Sequence, residues 1–242
     1  MKFVPQSAAI AAEPFCARQR LRADVVAHIH RAAEFLAAEI SQGRAIDSKR
    51  LSAVMTNACG GTDAEGFWLW KDAYEACEAA TVLTLRKLGP AMRARAQTPA
   101  ALLAMLAKIA ALLPTHTRRS EESQALQQFS TPIGLGFVAS VAAGITSNDL
   151  VLEPSAGTGL LAIFADLEGA KLALNEFSPT RAALLESLFP GSNVTRFDAA
   201  AIHDHLDESV RPTIVLMNPP FSVGIHVEGR VRNAALLSEH AF

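Results

Sequence analysis

The sequence predicts an α/β protein in which an all-α helical domain precedes an open parallel sheet of about four strands. Three observations carry this. From about Ala17 to Leu113 apolar residues recur at three and four, as in Val25, Ile29, Ala32, Leu36 and Ile40, or Leu102, Met105, Ile109 and Leu112. That is the period of amphipathic helices packed on one another. In the second half, the apolar runs Leu150–Leu152, Leu172–Leu174, Val194–Phe197 and Thr213–Met217 start at intervals of 22, 22 and 19 residues. A strand, a crossover helix and a parallel strand take about this length. Charge shifts at the same place: residues 1–127 hold 16 Lys/Arg against 12 Asp/Glu, a net of +4, and residues 128–242 hold 6 against 12, a net of −6.

Taken in order, the helical half breaks at Ser41-Gln-Gly43, at Cys59-Gly-Gly-Thr-Asp63, at Leu88-Gly-Pro90 and at Pro114. Glycine and proline interrupt helical hydrogen bonding there, so about four helices are expected. The polar segment Thr115–Ser123 joins the halves, with the boundary drawn between residues 118 and 119. Beyond it, Leu160–Leu167 and Thr180–Leu188 have helical character and serve as the crossovers.

The full chain has 242 residues, a formal charge of −2, 50% hydrophobic and 19% charged residues. It is apolar enough for a sizeable core and too neutral to hold nucleic acid by bulk electrostatics. Cys16, Cys59 and Cys77 form no Cys-x-x-Cys pair, so a disulfide scaffold or a cysteine-rich zinc site is not expected. No apolar run reaches the roughly 18 residues of a membrane span. The opening MKFVPQSAAIAAEPF is too polar and proline-interrupted for a secretory signal, and a cytoplasmic protein is expected.

Open parallel sheets bind ligands at the carboxyl ends of their strands. The first strand runs into Glu153, Pro154, Ser155, Ala156, Gly157, Thr158 and Gly159, where two glycines allow a sharp turn and close approach of a ligand. The third glycine of the dinucleotide fingerprint is missing, and so is the Gly-Lys-Ser/Thr of a P-loop. The second strand ends at Asn175-Glu176, where a carboxylate can accept both hydroxyls of a ribose. The third ends at Phe197-Asp198, whose carboxylate can accept from the exocyclic amine of a purine. The fourth ends at Asn218, Pro219, Pro220 and Phe221. Two prolines stop that strand and leave carbonyls without neighbouring N–H donors beside an amide.

Asn218-Pro219-Pro220-Phe221 after a fourth strand, with a Glu-Pro-x-x-Gly-x-Gly turn after the first, resembles the amino-methyltransferases that use S-adenosylmethionine. The resemblance is strongest to the N6-adenine DNA methyltransferases, whose upstream motif is matched by Gln128-Phe-Ser-Thr131-Pro132, opening a helix. It implies a Rossmann-like class I methyltransferase sheet. It also implies that Thr131 and Pro132 lie near the methionine end of the cofactor, that Glu153 to Gly159 line it, and that Glu176 holds the ribose. Asp198 would hold the cofactor adenine, with Phe177 as an apolar wall. Asn218 and the Pro219 carbonyl would accept the two N–H groups of the target amine, and Phe221 would stack on an extruded base.

Across the whole chain, Gly66-Phe-Trp-Leu-Trp-Lys-Asp-Ala-Tyr74 and Thr117-Arg-Arg-Ser-Glu-Glu122 resemble the front of large bacterial methylase–helicase fusions related to strawberry notch. DNA, and a helicase domain in the same protein, are the partners this implies. The sheet of that class has seven strands, so a fragment of a longer protein or a degenerate copy is expected. RNA bases and protein glutamine amides also present a conjugated NH₂, and a non-catalytic nucleic-acid-binding module of a helicase is the reading from another class. His28/His30 and His203/His205 read as surface histidines, and Trp68, Trp70 and Tyr74 as packing anchors near a helix start.

Overall fold

The structure is a computed structural model that describes residues 15–114, 130–219, 225–227 and 230–232. Four helices come first: α1 (Phe15–Ser41), α2 (Ser48–Cys59), α3 (Trp70–Ala96) and α4 (Pro99–Ala110). Local chemistry sets several ends. The Asp47 carboxylate accepts the Arg50 N–H at the start of α2, and Gly60 closes that helix at φ 78°. Thr98 caps α4, with Pro99 in its first turn. Trp68 and Trp70 anchor the approach to α3 by donating to the Gly61 carbonyl and the Asp63 carboxylate, at 3.1 and 2.9 Å, their rings meeting edge to face.

The expected break at Leu88-Gly-Pro90 is not a break: α3 runs through it to Ala96. Pro90 removes one helical hydrogen bond, normally a cost of about 3 kcal/mol in a helix interior. Tertiary packing offsets it. A Cβ on Gly89 would sit 2.9 Å from a terminal methyl of Leu167, so α3 lies close against the next layer here. On the same stretch Arg86 pairs with Asp166 at 3.0 Å and Arg93 with Glu168 at 2.5 Å.

The second half supplies α5 (Ile133–Ala143), β1 (Leu150–Glu153), α6 (Ala162–Leu167), β2 (Lys171–Asn175), α7 (Pro179–Leu188), β3 (Asn193–Thr195), a 3₁₀ turn (Ala199–Asp204) and β4 (Ile214–Val215). The strands form one all-parallel sheet in the order β3-β2-β1-β4, with Val151 opposite Leu172 on one side and Ile214 on the other. This is a Rossmann-like α/β sheet. β3 and β4 are shorter than the apolar runs that predict them. A separate antiparallel pair, β5 (Ile225–Val227) and β6 (Arg230–Arg232), follows.

One continuous core joins the helices to the sheet: Leu36 of α1, Met55 of α2, Leu85 of α3, Ile163 of α6, Leu174 of β2 and Leu184 of α7 all belong to it. α3 lies at its centre, in contact with α1, α2 and α4 and also with α6 and α7. Ala73, Ala76, Ala79 and Ala80, all fully buried, allow these close approaches. The boundary expected at 118/119 falls outside the described residues. Among the described residues, no helix is long and apolar enough to cross a membrane.

Candidate active site

The turn after β1 begins with a buried acid. Glu153 is 2% exposed, accepts the Ala162 N–H, and leaves its Oε2 without a hydrogen-bond partner. Burial, with the Glu176 charge adding to it, pushes this carboxyl well above the ordinary value. Pro154 and Ala156 are buried behind it and Ser155 is half-buried. Gly157 and Gly159 take φ of 56° and 86°, and a Cβ on Gly159 would meet the Phe189 ring at 2.2 Å. The second glycine is therefore required twice, by conformation and by space. Thr158 between them is buried and donates its hydroxyl to Glu78 Oε2 at 2.6 Å.

Glu176 at the end of β2 is turned toward that turn. Its Oε2 accepts the Gly157 N–H and its Oε1 the Ser178 N–H, both at 2.8 Å. Each carboxylate oxygen keeps a further lone pair. Phe177 beside it is 57% exposed. Asn175, one residue earlier, uses its whole amide. Nδ2 donates to the Pro154 and Phe197 carbonyls, each at 2.9 Å, and Oδ1 accepts Thr195 Oγ1 and the Phe197 N–H, each at 2.8 Å. One buried side chain thus ties together the ends of β1, β2 and β3. Asp198 is exposed, and its Oδ1 accepts the Ala200 N–H at 3.0 Å. Phe197 stacks on His205, with centroids 4.5 Å apart and planes 11° from parallel.

β4 lies beside β1, so the chain after β4 leaves the same edge of the sheet as the glycine turn. There Asn218 is half-buried and Pro219 exposed. Pro220 and Phe221 lie outside the described residues. Asn218 Nδ2 donates to Thr131 Oγ1 at 3.1 Å, which joins the loop after β4 to the start of α5. Pro132 caps α5, its carbonyl accepting the Leu135 and Gly136 N–H groups. α5 in turn sits against the segment after the glycine turn, because a Cβ on Gly136 would come 3.1 Å from the Leu160 carbonyl oxygen.

The sequence reading missed the charges beneath this edge. Arg181 of α7 donates through Nε to Glu75 Oε1 at 2.8 Å, and Lys71 lies 3.7 Å from the same oxygen. Arg181 is 7% exposed. Burial alone would weaken its charge, but Glu78, Glu75 and Glu176 together raise the guanidinium above its ordinary value and keep it a cation. Its Nη1 lies 3.7 Å from where a Cβ of Gly157 would stand. Ser130, preceding Thr131, donates its hydroxyl to Glu78 Oε1. The available signal was Glu75 and Glu78, two carboxylates on an Ala-rich stretch of helix. Cys77 between them is no nucleophile, since burial pushes its thiol up to about 12.

Chemically, this edge gathers acceptors: free lone pairs on Glu176, the Asp198 carboxylate and the Asn218 amide oxygen, with the exposed Phe177 ring nearby. That set suits a ligand rich in O–H and N–H donors with a flat face.

No protein-family model matches the chain, and no curated protein matches it. Among solved structures, a "putative RNA methyltransferase" from Pyrococcus horikoshii is 26% identical over 51% of this chain, with a TM-score of 0.37. The chain spans 60% of the length of that structure. An overlap of this quality carries no weight for fold or activity, and the fold rests on the sheet order described above.

Proposed function

We propose that the protein is an S-adenosylmethionine-dependent methyltransferase acting on a conjugated exocyclic amine, with adenine N6 in DNA as its target. The observation that carries this reading is the hydrogen bond from Asn218 Nδ2 to Thr131 Oγ1 at the edge that also bears the glycine turn. With Nδ2 engaged, the Asn218 amide oxygen is left to accept. The Pro219 carbonyl, whose neighbour Pro220 has no N–H, is the second acceptor.

The physical need matches these two groups. The lone pair of an aromatic amine is conjugated with its ring, which makes the nitrogen a poor nucleophile. Two acceptors around the NH₂ favour a tetrahedral nitrogen whose lone pair is free to attack. Preorganised dipoles and positioning then supply most of the acceleration. Phe221 is the proposed platform for the base, partly compensating the few kcal/mol needed to extrude it from a duplex.

The residues at the edge fit the cofactor. Glu176 and Asp198 are acceptors for ribose hydroxyls and an adenine amine, Phe177 offers an exposed ring, and the turn from Glu153 to Gly159 presents glycine backbone. Glu153, with an unpartnered buried oxygen, has hydrogen-bonding capacity for a polar group there. When bound, S-adenosylmethionine supplies an electrophilic methyl group. Thr131 and Pro132 are assigned to its methionine end, and Thr131 holds the Asn218 amide as well.

Calorimetry with S-adenosylhomocysteine and transfer of labelled methyl to DNA, RNA and protein fractions test the reading. Binding that is lost in Glu176→Ala, with label in adenine of DNA, is the expected result. Label in RNA or in glutamine would keep the chemistry and change the substrate. Absence of binding, or binding untouched by Glu176→Ala, would sink the reading. A helicase domain in the same protein remains part of this proposal and is tested by reading the gene beyond Phe242.

A further inference from the structure

One carboxylate from the helical half touches both segments on which the proposed chemistry depends. Glu78 lies within α3 and is 5% exposed. Its Oε2 accepts the Thr158 hydroxyl at 2.6 Å, between the two turn glycines. Its Oε1 accepts the hydroxyl of Ser130, the residue before Thr131. Thr131 accepts from Asn218. Hydrogen bonds and a single peptide unit therefore connect Asn218 to the glycine turn through a side chain that belongs to neither.

Regular secondary structure cannot make that connection. Ser130 and Thr131 precede α5, and Thr158 sits between two glycines at positive φ, so neither segment is held at these points by a helix or sheet ladder. A rigid third body can hold them. α3 is such a body, packed against α1, α6 and α7. One turn away, Glu75 is locked to Arg181 at 2.8 Å. Hydrogen bonds from hydroxyls to a carboxylate are roughly twice as strong as neutral ones, and burial strengthens them further.

We propose that Glu78 is a positioning residue that sets the separation between the cofactor turn and the Asn218 amide. The proposal rests on the methyl-transfer reading for its consequence, and on the two hydroxyl contacts for its geometry. Under it the helical half is part of the catalytic unit, because that half supplies the support that fixes the two reacting partners relative to each other.

The test compares Glu78→Gln with Thr158→Val, Thr158→Ser and Ser130→Ala by amide hydrogen exchange, cofactor binding and steady-state kinetics. In Glu78→Gln, peptides covering 130–136 and 155–161 should both lose protection by about tenfold or more, while α3 itself stays protected. Thr158→Val should expose only the second peptide, and Thr158→Ser should restore it. In the kinetics, Glu78→Gln should lower kcat more than it raises the KM for cofactor, since the misplacement is between two bound groups. Unchanged exchange in both peptides overturns the proposal, and so does an equal change in every part of the molecule. If Glu78→Gln does not fold, the Thr158→Val and Thr158→Ser pair and Ser130→Ala decide by the same exchange criterion. A wild-type protein that neither binds cofactor nor transfers methyl sinks the functional reading, and exchange alone then judges the clamp.

Discussion

The two sides of the candidate site are held in opposite ways. After β1 and β2, buried side chains hold the strand ends through hydrogen bonds. Glu176 accepts two backbone N–H groups, Asn175 makes four hydrogen bonds, and Thr158 is fixed from below by Glu78. After β4, Asn218 is half-buried with one hydrogen bond, to Thr131, and Val215 and Met217 on either side of Leu216 are 49% and 44% exposed. A side that receives a small, constant ligand profits from a prebuilt rigid floor. A side that must admit and release a macromolecular target profits from an open rim. The contrast is the one expected of a protein that binds the two in different ways, and it can be attacked from either side.

The largest effect belongs to the rigid side. Arg181→Met should cost about 3–5 kcal/mol in urea denaturation, because it removes the buried guanidinium whose Nε donates to the buried Glu75 Oε1 at 2.8 Å. A loss below about 1 kcal/mol would mean that the buried network is not holding this side together.

Next comes the open side. Asn218→Ala should reduce methyl transfer by about 10²–10³-fold, the scale of removing one preorganised dipole. Stability should change by no more than about 0.5 kcal/mol, as for a surface position. A variant that lost cofactor affinity to the same degree would show that the two sides are not separable.

A smaller, pH-dependent effect sharpens the account of the rigid side. The Glu153 carboxyl is held well above 4.5 in the folded protein by burial, so the unfolded chain ionises first. The Glu153 contribution to stability should therefore fall as pH rises from about 4.5 toward the folded value and vanish below 4.5. Glu153→Gln, which keeps an acceptor for the Ala162 N–H, should flatten that slope and melt higher than wild type at pH 7. Thermal melts from pH 4 to 8 check this. Identical slopes for wild type and Glu153→Gln would mean that Glu153 ionises in the fold as readily as in the unfolded chain.

The smallest effect lies away from both sides. Arg93→Ala breaks a pair whose side chains are 43% and 32% exposed. It should cost no more than about 1 kcal/mol and leave cofactor binding intact.

Much of the fold was legible from the spacing of Leu150, Leu172, Val194 and Thr213, because a parallel strand and its crossover consume a nearly fixed length of chain. The candidate site was legible for a related reason: in a parallel sheet the segments after successive strands emerge at one edge, so Gly157, Glu176, Asp198 and Asn218 share it. What was not legible was support. Pro90 reads as a helix break because its local cost is real, and only the contact between Gly89 and Leu167 reveals what offsets it. Asn175 reads as an ordinary strand end until its four hydrogen bonds reach the ends of β1 and β3. Glu75 and Glu78 do not stand out in the sequence, because most glutamates on helices are solvated.

The sequence by itself determined the order of the elements and which residue types stand at the carboxyl edge, since both follow from local periodicity and from the geometry of a parallel sheet. Only the tertiary structure decided which side chains hold that edge in place. Glu78 meets Ser130 and Thr158 across 52 and 80 residues, and Arg181 meets Glu75 across 106. Contacts at such separations leave no trace in local pattern. They come into being only when packing removes water from both partners and leaves each the other as its remaining source of hydrogen bonds or opposite charge.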